Sequence, residues 1–458
     1  MNVPETSKRL RRQGQCRRLL CLFTLTVVVT PAWASPPPET LPESIEVPDT
    51  LSPDAAIRWA LGHNPEIMAL RQQHGIAAAA VVIANTYPFN PVWEGKIRAT
   101  TGPESAGITN AVSNEHKVFI DVELRGQKKI RQEAANVALS RTDAEISHQE
   151  VALAVRVVRA FDTVVYRYRK RKLVEATLDL NTKAAGHVED LVNSGKLTNA
   201  DLIFIRTEVE DSRAQLAPSQ AQVITAWQDL YRALGMTDGT FDLHGGFQVL
   251  PPPEKDGEHL LQTALEHRAD LRARQLAVNE ADARLRLERA NRWGNPNLGP
   301  AMEYDPTRVT LIGVQITMPL PVFNTHRGEI EQREAERMKA ELDLRQTEVA
   351  VRQDLRAALA RLEQARAWVE TYKARVLPTL EHSLSDIRTL FDKGRPGADL
   401  LRVIDVQRKL LKARDTELDA IYEMRQALAD LALAVGDPAV AVFHCASKVE
   451  NSGTPPQP

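Results

Sequence analysis

Cysteine is almost missing from this chain: Cys16, Cys21 and Cys445 are all it has. The first two fall in an N-terminal targeting segment. Lys8, Arg9, Arg11, Arg12, Arg17 and Arg18 form a basic region. Leu19 to Val29 is an apolar run too short to cross a bilayer comfortably, and Ala32-Trp33-Ala34 supplies the small residues of a cleavage site. Residues 1–34 are therefore expected to be removed as a signal peptide; retention as an anchor is the other reading of the same composition. Cys21 opens the apolar run instead of following it, which argues against a lipid-attachment cysteine. With Cys445 alone left, the mature chain has no internal disulfide, so an exported protein must draw its stability from core or oligomer contacts.

A surplus of positive charge is missing too. Removing six Lys/Arg and one Asp/Glu with the signal from totals of 58 and 60 leaves 52 against 59, a charge of about −7. That argues against a polyanion-binding protein. The run Tyr166 to Lys172 mixes basic and aromatic residues like a nucleic-acid patch, but inside a long helix of an acidic exported protein it reads as a solvated face. No C-x-x-C, H-E-x-x-H, Walker loop or G-x-S-x-G occurs, and no two of the 11 histidines lie within four residues of each other. No metal site, cofactor or catalytic centre is expected. Beyond the signal, no apolar stretch reads as a transmembrane helix.

What is present is a long repeat. Ala60-Leu61-Gly62-His63-Asn64-Pro65 returns as Ala264-Leu265-Glu266-His267-Arg268-Ala269. Asn90-Pro91 returns as Asn295-Pro296, and Leu191, Gly195, Asp201 and Leu202 return as Leu390, Gly394, Asp399 and Leu400. The period far exceeds that of a solenoid unit and implies two equivalent halves, residues 51–234 and 258–437. An extended leader (35–50), a proline-rich connector (235–257) and a polar tail (438–458) complete the chain.

Within each half the hydrophobic period changes. Trp93, Gly95, Ile97 and Ala99 alternate with charged residues, and Val118, Ile120, Val122 and Leu124 alternate with Lys117, Asp121 and Glu123. In the second half Leu298, Met302 and Tyr304 share one face, and Ile312, Val314, Ile316 and Met318 another. Four strands follow, about 91–99, 117–124, 297–304 and 309–318. Their length suits either half-buried hairpins in a soluble domain or the strands of a transmembrane barrel.

Helices dominate the remainder. Residues 127–193 contain no proline, and 328–393 contain only Pro378. At about 1.5 Å per residue each would approach 100 Å. Val351, Leu355, Ala358, Leu362, Ala365, Val369, Tyr372 and Val376 form a heptad seam. The first long helix has two seams on nearly opposite faces: Val151, Val155, Val158 and Val165, then Leu153, Val157, Ala160 and Val164. Two seams require neighbours on both sides, as in a curved palisade. Return helices are expected at 199–233 and 398–435.

Four strands cannot close a barrel, and an open sheet in lipid leaves its edge N–H and C=O groups unpaired at several kcal/mol each. Three copies would give twelve strands, an even number within the range of outer-membrane barrels. The fold class expected is mainly α with a small β part. Each protomer would add four strands to a trimeric 12-stranded barrel continued by a long helical periplasmic tube.

The chain resembles the TolC-type outer-membrane factors of tripartite efflux pumps. The resemblance rests on Asn64-Pro65-Glu66-Ile67, on Pro319-Leu320-Pro321 with Asn324, Arg327 and Gly328, and on the two Leu-x-x-x-Gly turns. Glu123 to Lys128 is similar to the junction of the cation-efflux branch, with Gln127 in place of a second glycine. The resemblance implies a passive exit duct and no enzyme. Its partners would be two further copies, outer-membrane lipid, a periplasmic adaptor and an inner-membrane RND pump. Heavy-metal cations would be the cargo, with drug efflux and protein secretion as alternatives. A periplasmic coiled-coil scaffold without a pore is the rival from a different class. By resemblance the turns at Leu191, Gly195, Asp201, Leu202 and Leu390, Gly394, Asp399, Leu400 would dock the adaptor. Asp399, Arg402 and Asp405, three apart on one helical face, would line the constriction. Trp93, Ile97, Val118, Ile120, Val122, Val314 and Ile316 are expected to face lipid.

Overall fold

A computed structural model describes residues 50–100, 111–239, 241–245, 247, 256–305, 307, 309–393 and 400–438. The first half holds β1 (Thr50–Leu51), α1 (Pro53–His63), α2 (Pro65–Asn85), β2 (Val92–Thr100), β3 (Ala111–Asp121), α3 (Gln127–Asn193), α4 (Asn199–Ala214) and α5 (Leu216–Leu234). The second holds β4 (Asp242–Leu243), α6 (Gly257–His267), α7 (Ala269–Asn291), β5 (Asn297–Tyr304), β6 (Thr310–Thr317), α8 (Arg327–Thr371), a π-helical turn (Tyr372–Val376), α9 (Leu377–Asp392) and α10 (Leu400–Val435). Short β1 pairs in parallel with β4.

Two helices expected to be continuous are broken, each beside a proline. The return helix of the first half stops at Ala214 and restarts at Leu216. Pro218 has no N–H for the Ala214 carbonyl four residues back, and its ring crowds that carbonyl. The second long helix relaxes into the π turn just before Pro378, which then sits in the first turn of α9, where a missing N–H costs little. By contrast α3 runs unbroken for 67 residues. A further expectation is corrected at α2. Its sequence is long and apolar enough to cross a membrane, yet only 11 % of the stretch is buried. Its run of small alanines kept the segment from reading as a span.

Helix α3 packs on α1, α2, α4, α5, α7 and α10. Its two seams serve different neighbours. Leu153, Val157, Phe161 and Val164 join the main core with Trp227 and Leu230 of α5, whereas Val155 and Val158 meet Ala429 and Ala432 of α10. The heptad seam of α8 is buried from Val351 to Val369, and its residues from Leu355 onward enter the same core with Met424 and Leu428 of α10. Fully burying each large apolar side chain contributes about 1.5–3 kcal/mol, so this belt holds most of the stability.

One contact recurs at the end of each half. Asn64 caps α2 by accepting from the Glu66 N–H (2.8 Å), while its Nδ2 donates to the Ala233 carbonyl at the end of α5 (2.9 Å). Arg268, preceding α7, donates from Nη1 to the Ala434 carbonyl at the end of α10 (3.1 Å). Gly235 and Gly436 follow these carbonyls with φ of 76° and 82°. A Cβ on Gly235 would lie 2.7 Å from the Asn64 Cα, so both conformation and space demand glycine there. Gly235→Ala is expected to cost about 1–3 kcal/mol, read as a lowered unfolding midpoint in detergent. Gly62→Ala, where a Cβ meets nothing within 4 Å, should not lower it.

Candidate membrane sheet and helical tip

The four longer strands form one antiparallel sheet in the order β2-β3-β5-β6. Trp93 pairs with Val118, Ile97 with Asn114, Ile120 with Leu298, and Leu298 with Ile316. This register puts Trp93, Ile97, Val118, Ile120, Leu298, Met302, Ile312, Val314 and Ile316 on one face. Trp93, Ile97, Val314 and Ile316 are each about two-thirds exposed or more. The opposite face is charged: Glu115 pairs with Lys117 (2.5 Å) and Arg98 (3.3 Å), and Glu94 with Lys96 (2.7 Å). One bare apolar face and one ion-paired face is the division a barrel makes between lipid and lumen. At Gly299 the strands close up tightly, and a Cβ there would fall 1.8 Å from the Val118 carbonyl oxygen. Among the described residues, the outer edges of β2 and β6 have no strand beside them.

Strand β3 spans 111–121, where 117–124 was expected. Asn114 and His116 lie on the apolar face and interrupt the alternation that marks a strand in sequence; His116 stacks on Trp93 at 5.8 Å. Val122 falls just past the strand, although its N–H still reaches the Pro296 carbonyl (2.8 Å). Ile120 sits one residue from the helical end of β3, and both Ile120 and Val122 are half-buried. The midpoint of the sheet therefore lies near Val314 and Lys96.

The junction below the sheet is pinned between the halves. Gln127, the position that departs from the family pattern, is buried; its Nε2 donates to Asn295 Oδ1 (2.8 Å) and its Oε1 accepts from the Arg125 N–H (2.8 Å). Gly126 and His326 precede the two long helices in left-handed conformations.

At the first tip Gly195 has φ of 71°, and Lys196 N–H donates to the Leu191 carbonyl (2.9 Å). Asp201 is committed to a capping box, accepting from Thr198 N–H (3.0 Å) and Thr198 Oγ1 (2.7 Å). Those bonds hold its carboxyl below the usual aspartate range. Leu202 packs into a small core of Ala184, Val188, Ile205 and Ile404. Of the second tip, Leu390 is exposed; Gly394 and Asp399 lie outside the described residues, and Leu400 opens α10. Arg402 is exposed, and Asp405 pairs with Lys409 one turn on (2.9 Å). Among the described residues no group of three His, Cys, Asp or Glu could hold a metal ion.

Between core and tip, α3 and α10 are laced by polar contacts that the sequence reading missed. Asp162 and Arg425 form a fully buried pair at 2.6 Å. Burial pushes the Asp162 carboxyl up, against the pull of the guanidinium. Arg159 pairs with Asp430, Tyr166 Oη donates to Asp419 (2.7 Å), and Arg408 donates to the buried Asn181 (2.9 Å). Tyr166 stacks on Tyr422 at 4.1 Å, and Lys170 meets Asp419 at 2.8 Å. The Tyr166–Lys172 run is thus not a solvated face: Tyr166 and Tyr168 are buried, and Lys170 is an interhelical partner. Burial and the bond to Asp419 push the Tyr166 hydroxyl up to about 12. The signal available was a lone acid, Asp162, amid Val157, Phe161, Val164 and Val165.

A sheet bare on its apolar face and carried on paired helices of this length fits a membrane channel chain with a helical extension. The description of outer membrane efflux proteins matches residues 56–236 and 260–437, and the chain belongs to that family. It is 25% identical over 386 residues to the cobalt-zinc-cadmium resistance protein CzcC of Cupriavidus metallidurans, covering 83% of this chain and 89% of that protein. It is 22% identical over 400 residues to the cation efflux system protein CusC of Escherichia coli, covering 80% and 82%. Among solved structures, CusC superposes with a TM-score of 0.68 at 18% identity, over 84% of this chain and 92% of that one. The outer membrane protein VceC of Vibrio cholerae gives 0.65 at 17% identity, over 84% and 96%.

Two outcomes follow from this geometry. Val314→Arg at the middle of the bare face should cost roughly 2–4 kcal/mol of folding into bilayers. Gln315→Arg on the charged face should cost far less, and equal costs would refute the assignment of faces. Ile120→Arg, at the strand end, should be milder than Val314→Arg. At the tip, a depressed carboxyl stabilises above the unfolded aspartate value of about 3.9, and that contribution is lost as pH falls through the folded value. Protection of residues 198–204 against hydrogen exchange, taken relative to the intrinsic rate at each pH, should therefore fall below about pH 4, and Asp201→Ala should show the lowered protection already at pH 7.

Proposed function

We propose that the chain, after loss of residues 1–34, works as a homotrimeric exit duct. Three copies close a 12-stranded barrel in the outer membrane, and their helices continue it as a tube into the periplasm. The observation that carries this reading is the four-stranded sheet with a bare apolar face, a charged opposite face and two open edges. A periplasmic scaffold without a pore has no use for such a face. The duct would receive its cargo from an inner-membrane RND pump through a periplasmic adaptor docked at the two tips, Leu191 to Leu202 and Leu390 to Leu400. The likeness to CzcC and CusC supports heavy-metal cations as that cargo.

In a trimer Asp399, Arg402 and Asp405 each occur three times around the far end of the tube. Like carboxylates brought close repel unless they bind cations, pair with arginine or take up protons. Such a ring favours cations over anions. Asp405 shares its charge with Lys409, which leaves Asp399 and Arg402 as the principal pair. Purified protein in planar bilayers should give discrete cation-preferring channels. Asp399→Ala combined with Arg402→Ala should raise single-channel conductance and lower cation preference. Absence of channels would refute the duct; channels unaltered by the double substitution would move the constriction elsewhere.

A further inference from the structure

The bare apolar face does not stop where β6 ends at Thr317. Met318 and Leu320 continue the even-numbered series of Ile312, Val314 and Ile316, and Leu320 is as exposed as those three. Phe323, just beyond, is fully exposed. The added length has a use. The eight residues of β6 rise about 26 Å, or about 20 Å of depth at a tilt near 40°, and the apolar band of an outer-membrane barrel is about 25 Å tall. Residues past the helical end of the strand supply the difference.

Two other strand ends meet at the same corner. Arg125, which follows β3, donates from Nη1 to the Gly294 carbonyl (3.2 Å). Gly294 lies against the Pro319 ring, where a Cβ would fall 2.6 Å from Cγ. Trp293, about half exposed, has two guanidinium groups over its ring, Arg125 at 5.9 Å and Arg292 at 6.0 Å from the centroid. Lys128 and Lys129 stand exposed in the first turn of α3, and that turn holds no acidic residue. The neighbouring cations Arg131, Arg289 and His326 are each paired with a glutamate. Among the described residues no carboxylate pairs with Arg125, Lys128, Lys129 or Arg292.

This is the composition of a membrane boundary. An indole settles at headgroup level. Long basic side chains lay their stems on apolar surface and hold the charge outside it. Here four positive charges lack a counter-charge from the chain, and they stand at the rim of the apolar face. We propose that this corner binds the phosphate headgroups of anionic phospholipid in the leaflet nearer the helices. Arg125, Arg292, Lys128 and Lys129 meet the phosphates, and Leu320 and Phe323 lie among the acyl chains. The proposal rests on the membrane reading of the sheet above and adds a headgroup preference that a bare apolar face does not have.

Tryptophan quenching tests it, with the full chain in vesicles of phosphatidylcholine and a minor share of phosphatidylglycerol. Either lipid in turn carries bromine near its headgroup. Emission lost in Trp293→Phe reports Trp293. Emission lost in Trp93→Phe reports Trp93, which lies at the same end of the sheet on its bare face and serves as the control. Half-quenching of Trp293 should need at least about tenfold less brominated phosphatidylglycerol than brominated phosphatidylcholine, because each cation near an anionic surface favours it about fivefold. Trp93 should not tell the two lipids apart. Arg125→Gln with Arg292→Gln should raise the amount of phosphatidylglycerol needed on the order of tenfold. Lys128→Gln with Lys129→Gln leaves the Arg125 bond to Gly294 in place; it should act alike and serves if the first pair folds poorly. Equal quenching of Trp293 by both lipids, or a preference unchanged in the variants, overturns the headgroup site and leaves the sheet in the membrane. Quenching of Trp93 without Trp293 also overturns it, since protein or water then covers the corner. Quenching of neither overturns the membrane reading as well.

Discussion

The hydrogen-bonding groups along the outer edges of β2 and β6 are the constraint on which the rest of this molecule depends. Water would satisfy them, but hydrocarbon does not, and each group left bare there costs several kcal/mol. The bare apolar face of the same sheet repels water just as firmly. An apolar face that shuns water and edges that hydrocarbon leaves unpaired set opposite demands on the sheet's surroundings. The proposed trimer would answer both demands, with the long helices holding the strands where its copies join.

Inside the protomer, order comes from one helix with two sets of neighbours. Apolar residues of α3 meet α5 on one side and α10 on the other. The polar ladder from Arg159–Asp430 through Asp162–Arg425 to Asn181–Arg408 adds direction to that second contact. A buried ion pair is costly to desolvate and contributes little net stability, but removing one partner strands a buried charge. The ladder therefore disfavours any sliding of α10 along α3, which would separate several such pairs at once.

Much of this was legible in the sequence because periodicity reports burial directly. The seams of α3 and α8, the strands at 297–304 and 310–317 and the apolar face from Trp93 to Ile316 all repeat with the period of their secondary structure. What escaped was non-periodic. Asn114 and His116 sit on an apolar face and hid the first half of β3. Pro218 acts on a carbonyl four residues away, so the break at Gln215 carries no mark of its own. Asp162 gains meaning only from Arg425, more than 260 positions further on. The Tyr166–Lys172 run looked solvated because its partners, Asp415 and Asp419, belong to another helix. The capping role of Asp201 depends on its contacts with Thr198, which the spacing of the two turns does not report.

The interruptions in the helices have a mechanical consequence. Each hairpin has one continuous limb and one jointed limb: α3 and α10 run without a break, whereas the joints at Gln215 and at Tyr372–Val376 fall in the limbs beside them. The two continuous limbs are also the two that are laced together. The protomer is thus built like a mast, a stiff pair of spars with an articulated stay on each flank. A load along the helices would meet a joint in each stay and none in the spars.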